Sequence, residues 1–251
     1  MSRTIWTLCG GPSSLRRLEG HFFRVVESQF RKSTRKLVDT DDEQAVLERL
    51  IDSAKNPVPP GFEGLHYLLY TPFRHPPLRN GSRFGTRFER GILYGAKAVP
   101  TALAEVAYYR LLFLEGTRAG LGTVETALTA FRFGLRARRA VDLTAPPFDR
   151  YEARISSKVD YAQSQALGRD MRAAQVQAFL YVSARAPGRG INAGVFDNVF
   201  SPAKPSDEKP WRCAARRERV DFRSAGLLTD ERHSFAREQF EVLGKLPAPA
   251  V

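Results

Sequence analysis

The sequence predicts an α+β fold, and three observations carry that expectation. Short apolar runs of strand length, at 92–96 and 178–182 for example, fall among longer stretches with helical spacing of apolar residues. Their alternation is irregular, whereas a doubly wound parallel sheet needs strands and helices in regular succession. No glycine-rich dinucleotide fingerprint is present, because Gly188-Arg189-Gly190 is too short and does not open a helix.

Each element has a local cause. A first strand is expected at 21–28, where Phe22, Phe23, Val25 and Val26 favour a pleated backbone. A helix near 42–54 follows, opened by Asp41, Asp42 and Glu43 against the positive end of its dipole. Asn56-Pro57-Val58-Pro59-Pro60-Gly61 reads as a surface loop. The apolar run 92–96, bounded by Gly91 and Pro100, suits a buried strand. Pro100 then fits the first turn of a helix over 100–115, since it lacks an N–H that the first turn could not pair, and Gly116 fits its end. Further strands are expected at 128–135, 178–182, 191–196 and 219–222, with helices near 161–175 and 230–242. Residues 201–210, rich in Pro, Ser and Lys, read as a second surface loop, and the tail 246–251 is expected to fray.

No long linker divides the 251 residues, so one domain is expected over 1–251. Its core spans about 20–200, with an N-terminal elaboration over about 25–80 and a C-terminal strand and helix over about 211–245. Cys9 and Cys213 have neither metal-ligand spacing nor the density of a disulfide scaffold, which fits a reducing cytoplasm. His21, His66, His75 and His233 form no metal motif, so no metal is expected. Neither a secretory leader nor a membrane-spanning apolar run is present, which again points to the cytoplasm.

The formal charge of +12 raises nucleic-acid binding as a rival class of function. Of the 39 basic residues 31 are arginine, a bias that a genome rich in G and C can favour without any function attached. The densest clusters, 136–139 and 212–219, are accompanied by no helix-turn-helix, zinc-finger or aromatic RNA-binding signature. Nucleic acid is therefore not expected as a direct partner, and a basic surface equally suits an anionic dinucleotide or an acidic protein.

Chemistry concentrates in the middle of the chain. Ser82-Arg83-Phe84-Gly85 precedes the strand bearing Tyr94, which precedes the helix bearing Glu105, so Arg83, Tyr94 and Glu105 stand at equal intervals on successive elements. Thr101, Glu105 and Tyr109 are spaced i, i+4, i+8 and are expected on one helical face. A lone helical glutamate or loop arginine is usually solvated or ion-paired, and the combination is what singles these residues out.

In this order the residues resemble the RES domain, the toxin half of a bacterial toxin–antitoxin pair that acts on NAD. The downstream run Tyr181-Val182-Ser183-Ala184-Arg185, followed by Val195-Phe196, is similar to the family's serine-bearing strand end, and Phe23-Arg24-Val25-Val26 to its N-terminal arginine. The resemblance implies an ADP-ribosyltransferase-like fold with two small β-sheets framing a cleft. It further implies cleavage of the bond between nicotinamide and ribose, with phosphate or water as acceptor. The alternative within the same cleft is transfer of ADP-ribose to a protein.

Carried over, Arg24 and Arg83 would hold the diphosphate, Tyr94 would stand near the ribose, and Glu105 and Ser183 would serve the scissile centre. Thr101, Tyr109 and Arg185 complete the expected NAD-binding set. Guanidinium groups suit phosphate through paired hydrogen bonds, and a carboxylate suits an oxocarbenium-like state. Ser183 reads as a positioner, since no histidine stands in an activating motif with it. Tyr109 departs from the pattern, because many members carry histidine there. NAD is thus expected as substrate with no separate cofactor, phosphate as co-substrate where it rather than water is the acceptor, and an Xre-like antitoxin as protein partner.

Overall fold

The structure, a computed structural model, describes residues 4–28, 38–54, 56–75, 77, 79–225 and 230–249. The chain opens with helix α1 (Ile5–Leu8), strand β1 (Arg16–Glu27) and helices α2 (Asp41–Ala54) and α3 (Tyr67–Arg74). Strand β2 (Leu93–Ala96) and helix α4 (Val99–Glu115) come next, then the long strand β3 (Val124–Asp142). Helices α5 (Glu152–Ile155) and α6 (Ala162–Ala173) lead to strands β4 (Ala178–Val182) and β5 (Ile191–Val195). Strands β6 (Ser206–Ala215), β7 (Arg219–Ser224) and β8 (Arg232–Ala236) complete the fold. Among the described residues no helix is long and apolar enough to cross a membrane.

The mixed α+β class is observed, but the two small sheets expected from the resemblance are not. All eight strands join one sheet in the order β1-β2-β5-β4-β3-β6-β7-β8, and β1 also pairs with β3. The cause is the length of β3, a run of 19 residues. Its first half pairs with β6, its middle with β1, and its last residues Ala140, Val141 and Asp142 reach β4 in parallel. A bridge between Phe23 and Ala96 joins β1 to β2, so five strands close on themselves while β6, β7 and β8 continue outward.

Burial follows the pattern of each segment. Strand β4 is buried at every position, as a run of five apolar residues requires. Its Ala178 and Leu180 pack into a core with Phe22, Phe131, Phe133 and α3, while Phe179 and Tyr181 face a second core with Phe84, Leu167 and Met171. Helix α4 lays Leu103, Ala107, Leu111 and Leu114 against Trp211, Val220, Phe222 and Phe235 of the outer strands. That packing fixes which of its faces remains for a ligand.

Three expectations on the C-terminal part are corrected. No helix spans 230–242: Phe235 is buried while Arg232 and Ser234 are exposed, a period-2 pattern that makes β8 pair with β7 before one tight turn at Arg237–Gln239. The expected loop 201–210 gives way to β6 from Ser206 onward. Pro210 lies within it and its carbonyl accepts from the Ala225 N–H at 2.9 Å, just past the end of β7. The tail is anchored at its start, where Leu246 is buried and the Pro247 carbonyl accepts a hydrogen bond from the Tyr108 hydroxyl at 2.6 Å. Residues 250–251 of that tail, and 29–37 of the N-terminal elaboration, lie outside the described residues.

Candidate active site

A cleft of about 570 Å³ opens between α4 and strands β1 and β2. Helix α4 begins at the Val99-Pro100 step, runs past the sheet and turns Glu105, Tyr109 and Phe113 toward the cleft, each four residues from the last. Strand β1 contributes Arg24, β2 contributes Tyr94, and the turn before β2 contributes Arg83. Of the residues expected to carry the chemistry, Arg83, Tyr94 and Glu105 therefore meet in one cavity with the expected binding residue Arg24, while Ser183 does not line it.

Glu105 is held by one oxygen. Its Oε1 accepts from the Ser183 hydroxyl at 2.6 Å and from Asn192 Nδ2 at 2.7 Å. Its Oε2 takes no hydrogen bond among the described residues. Ser183 is buried, 5 % exposed, and its own oxygen accepts from the backbone N–H groups of Arg185 and Ala186 at 3.1 and 2.9 Å. These contacts leave the hydroxyl proton aimed at Glu105, so Ser183 orients the carboxylate without lining the cleft itself.

Tyr94 organises the turn that holds Arg83. Its hydroxyl shares a hydrogen bond with Ser82 Oγ at 2.9 Å and accepts from the Phe84 N–H at 3.2 Å, so it grips the residues on both sides of Arg83. Burial pushes the Tyr94 phenol up to about 12 in spite of these two hydrogen bonds. Arg83 is buried as well: its Nη1 donates to the carbonyls of Ser157 and Ile155 at 2.8 and 3.4 Å, and its guanidinium lies 4.6 Å from the centre of the Tyr161 ring. Helix α6 supports the turn from behind, where Gly168 lies so close to the Phe84 carbonyl that a Cβ would stand 2.0 Å from its oxygen.

Arg24 Nη1 donates to the Tyr94 carbonyl at 2.8 Å, and its buried Nε has no partner among the described residues. Burial without a carboxylate lowers this guanidinium from 12.5 to about 10. A cation held in that way favours an anionic ligand in the cleft. Arg110, which also lines it, is instead ion-paired with Glu27.

Two expected binding residues stand elsewhere. Thr101 is buried and packs on Gly190, where a Cβ would come within 2.4 Å of its hydroxyl, because the packing of α4 turns that position into the protein. Arg185 is 3 % exposed, donates to the Lys158 carbonyl at 3.1 Å and lies 3.6 Å from the centre of the Tyr108 ring, so it braces the interior. Tyr109 does line the cleft and is 50 % exposed at its mouth, beside Phe113 at 58 %.

Sequence reasoning missed Asn192, Tyr161 and Tyr181, all of which line the cleft. For Asn192 a signal existed, since it is the polar residue in an otherwise apolar strand. Tyr161 gave none. Among the described residues no group of three His, Cys, Asp or Glu is placed to hold a metal ion.

No curated protein matches the sequence. The toxin–antitoxin complex MbcT–MbcA of M. tuberculosis contains a chain with 13 % identity and a TM-score of 0.45, the match covering 77 % of this chain and 82 % of that one. The RES domain family matches residues 59–220, more than half of the chain, and this span holds Arg83, Tyr94, Glu105, Ser183 and Asn192, while Arg24 reaches the cleft from outside it. The chain belongs to the RES domain family.

Proposed function

We propose that this chain is the toxin of a toxin–antitoxin pair and that it cleaves NAD at the bond between nicotinamide and ribose. The observation that carries the reading is Glu105, fixed through Oε1 while Oε2 is left for a ligand, in a cleft lined by Arg24 and Arg83, neither of which meets a carboxylate among the described residues. As the carbon–nitrogen bond breaks, its electron pair leaves with nicotinamide and positive charge develops on the ribose. The Glu105 carboxylate stabilises that charge or holds a ribose hydroxyl. Arg24 and Arg83 neutralise the diphosphate, and Tyr94 keeps Arg83 in place. An oxygen of phosphate or water then bonds to the ribose carbon and gives up its proton to solvent.

The exposed aromatic rim formed by Tyr109 and Phe113 suits a protein that covers the cleft, and we assign that role to an Xre-like antitoxin. Mass spectrometry of NAD incubated with the purified protein, with and without phosphate, tests the reading. ADP-ribose 1″-phosphate formed only with phosphate identifies a phosphorylase, and free ADP-ribose a glycohydrolase. Glu105→Gln should lower either activity by about 10²–10³-fold, the scale for losing one electrostatic contact to the transition state. Intact NAD under both conditions overturns the proposal.

A further inference from the structure

Asn192 sits in the middle of β5, directly opposite Ala96 of β2 on one side and Tyr181 of β4 on the other. A residue flanked by two paired strands has little freedom, so its side chain is aimed by the sheet rather than by a loop. It is 2 % exposed, yet it lines the cleft. One hydrogen of its amide goes to Glu105 Oε1 at 2.7 Å and the other to the Tyr181 hydroxyl at 3.3 Å. The reverse amide orientation would set Oδ1 against the carboxylate, so Glu105 itself fixes which end faces it.

The arrangement carries a stability cost. Asn192 Oδ1 is buried with no partner among the described residues. Buried polar atoms are nearly always paired, and a leucine of the same shape would remove this orphan, but it would also take the donors from Glu105 Oε1 and from the buried Tyr181 hydroxyl. Apolar packing therefore does not account for asparagine here, whereas the two hydrogen bonds it donates, to Glu105 Oε1 and to the Tyr181 hydroxyl, do.

We propose that Asn192 is a positioning residue which, together with Ser183, fixes Oε1 of Glu105 and thereby presents Oε2 to the ribose of the substrate. The assignment rests on the proposed NAD chemistry. Two donors from separate elements define the carboxylate plane, as one alone would not, and Asn192 is the one attached to a rigid strand. Aspartate at this position would have the right shape and the wrong charge, because two carboxylates at hydrogen-bond distance share a proton.

The test is steady-state NAD cleavage by Asn192→Leu and Asn192→Asp, each with a thermal melt. Asn192→Leu should lose about 10–100-fold in kcat, the range for partners that orient a reacting group, with KM for NAD little changed and the cooperative melt retained, its midpoint lowered by no more than the Tyr181 hydroxyl's lost donor costs. Asn192→Asp should be impaired at neutral pH and recover relative to wild type as the pH falls, because the protonated acid regains a donor toward Oε1. The other titratable and charged groups around the pair are Tyr94, Tyr109, Tyr161, Tyr181 and Arg83, and burial holds the Tyr94 and Tyr181 phenols neutral over such a range.

A kcat for Asn192→Leu within about twofold of wild type overturns the assignment. So does a kcat loss accompanied by loss of the cooperative melt, which would make Asn192 a core residue, or an Asn192→Asp activity that stays a constant fraction of wild type at every pH. A wild-type protein that leaves NAD intact overturns the parent reading and this assignment together.

Discussion

Replacing Tyr94 by phenylalanine removes a single oxygen, and the structure says where the loss falls. Ser82 Oγ lies at the cleft and regains water, so its half of the lost hydrogen bonding is nearly free. The Phe84 N–H does not: Phe84 is 0 % exposed, wedged edge-on against Phe179 and Tyr181, and its amide has the Tyr94 hydroxyl as its acceptor at 3.2 Å. Leaving a buried donor unpaired costs about 1–3 kcal/mol. For a chain of this size that is a fall of about 2–12 °C in melting temperature. Because Arg83 stands between the two gripped residues, KM for NAD should rise in the same variant. Differential scanning calorimetry and steady-state kinetics measure both. A Tyr94→Phe protein that melts within about 1 °C of wild type refutes the clamp, since no other described group is placed to replace the acceptor.

Three further outcomes follow from the same geometry. Gly168→Ala puts a methyl group 2.0 Å from the Phe84 carbonyl oxygen, so it should destabilise by about 1–3 kcal/mol and raise KM for NAD by moving the Arg83 turn, as a urea titration and kinetics would register. Arg24→Met removes a guanidinium that burial has lowered to about 10 without any carboxylate to offset it, so the melting temperature should hold or rise while KM for NAD climbs steeply. Alkaline pH should unfold the protein early: burial holds Tyr94 and Tyr108 near 12 against 10.0, and Cys213 near 11 against 9.0. The folded state thus keeps these protons longer than the unfolded chain does. Their stabilisation is complete below about pH 9 and is lost as the pH rises toward 12, which urea midpoints measured up the alkaline range would follow.

The parts of the fold legible in the sequence were those whose cause is local. Strand 178–182 and helix 100–115 emerged almost at their observed bounds, because an unbroken apolar run and a Pro-to-Gly frame are signals within one segment. Helix α3 was invisible, since Pro72 interrupts its pattern and its Leu69 and Phe73 gain their meaning only by packing on Phe62, Phe133 and Leu135. The continuous sheet was equally hidden. Alternation says that 128–135 is a strand, but nothing in it says that β3 runs on to Asp142 and meets Leu180. The misread helix at 230–242 shows the same limit, because charged residues interspersed with Phe235 and Phe240 satisfy either period and the free edge of β7 decides between them.

The site was half legible for a related reason. A chain with 31 arginines offers many candidates for anion binding, and charge alone does not rank them. The structure ranks them by partner. Arg16, Arg132, Arg136, Arg189, Arg219, Arg223, Arg232 and Arg237 each meet an Asp or Glu, so their charge is spent at the surface. Arg24 and Arg83 are held by carbonyls and an aromatic ring, contacts that fix a guanidinium in place without cancelling its charge. Arg185 meets that criterion too and fails a second one, for its ring partner is Tyr108 in the interior and it does not line the cleft. An arginine proposed to hold the diphosphate here is positioned, uncompensated and facing the cleft, and all three conditions depend on partners distant in the chain, such as Ser157 and Tyr161 for Arg83, that a sequence spacing does not encode.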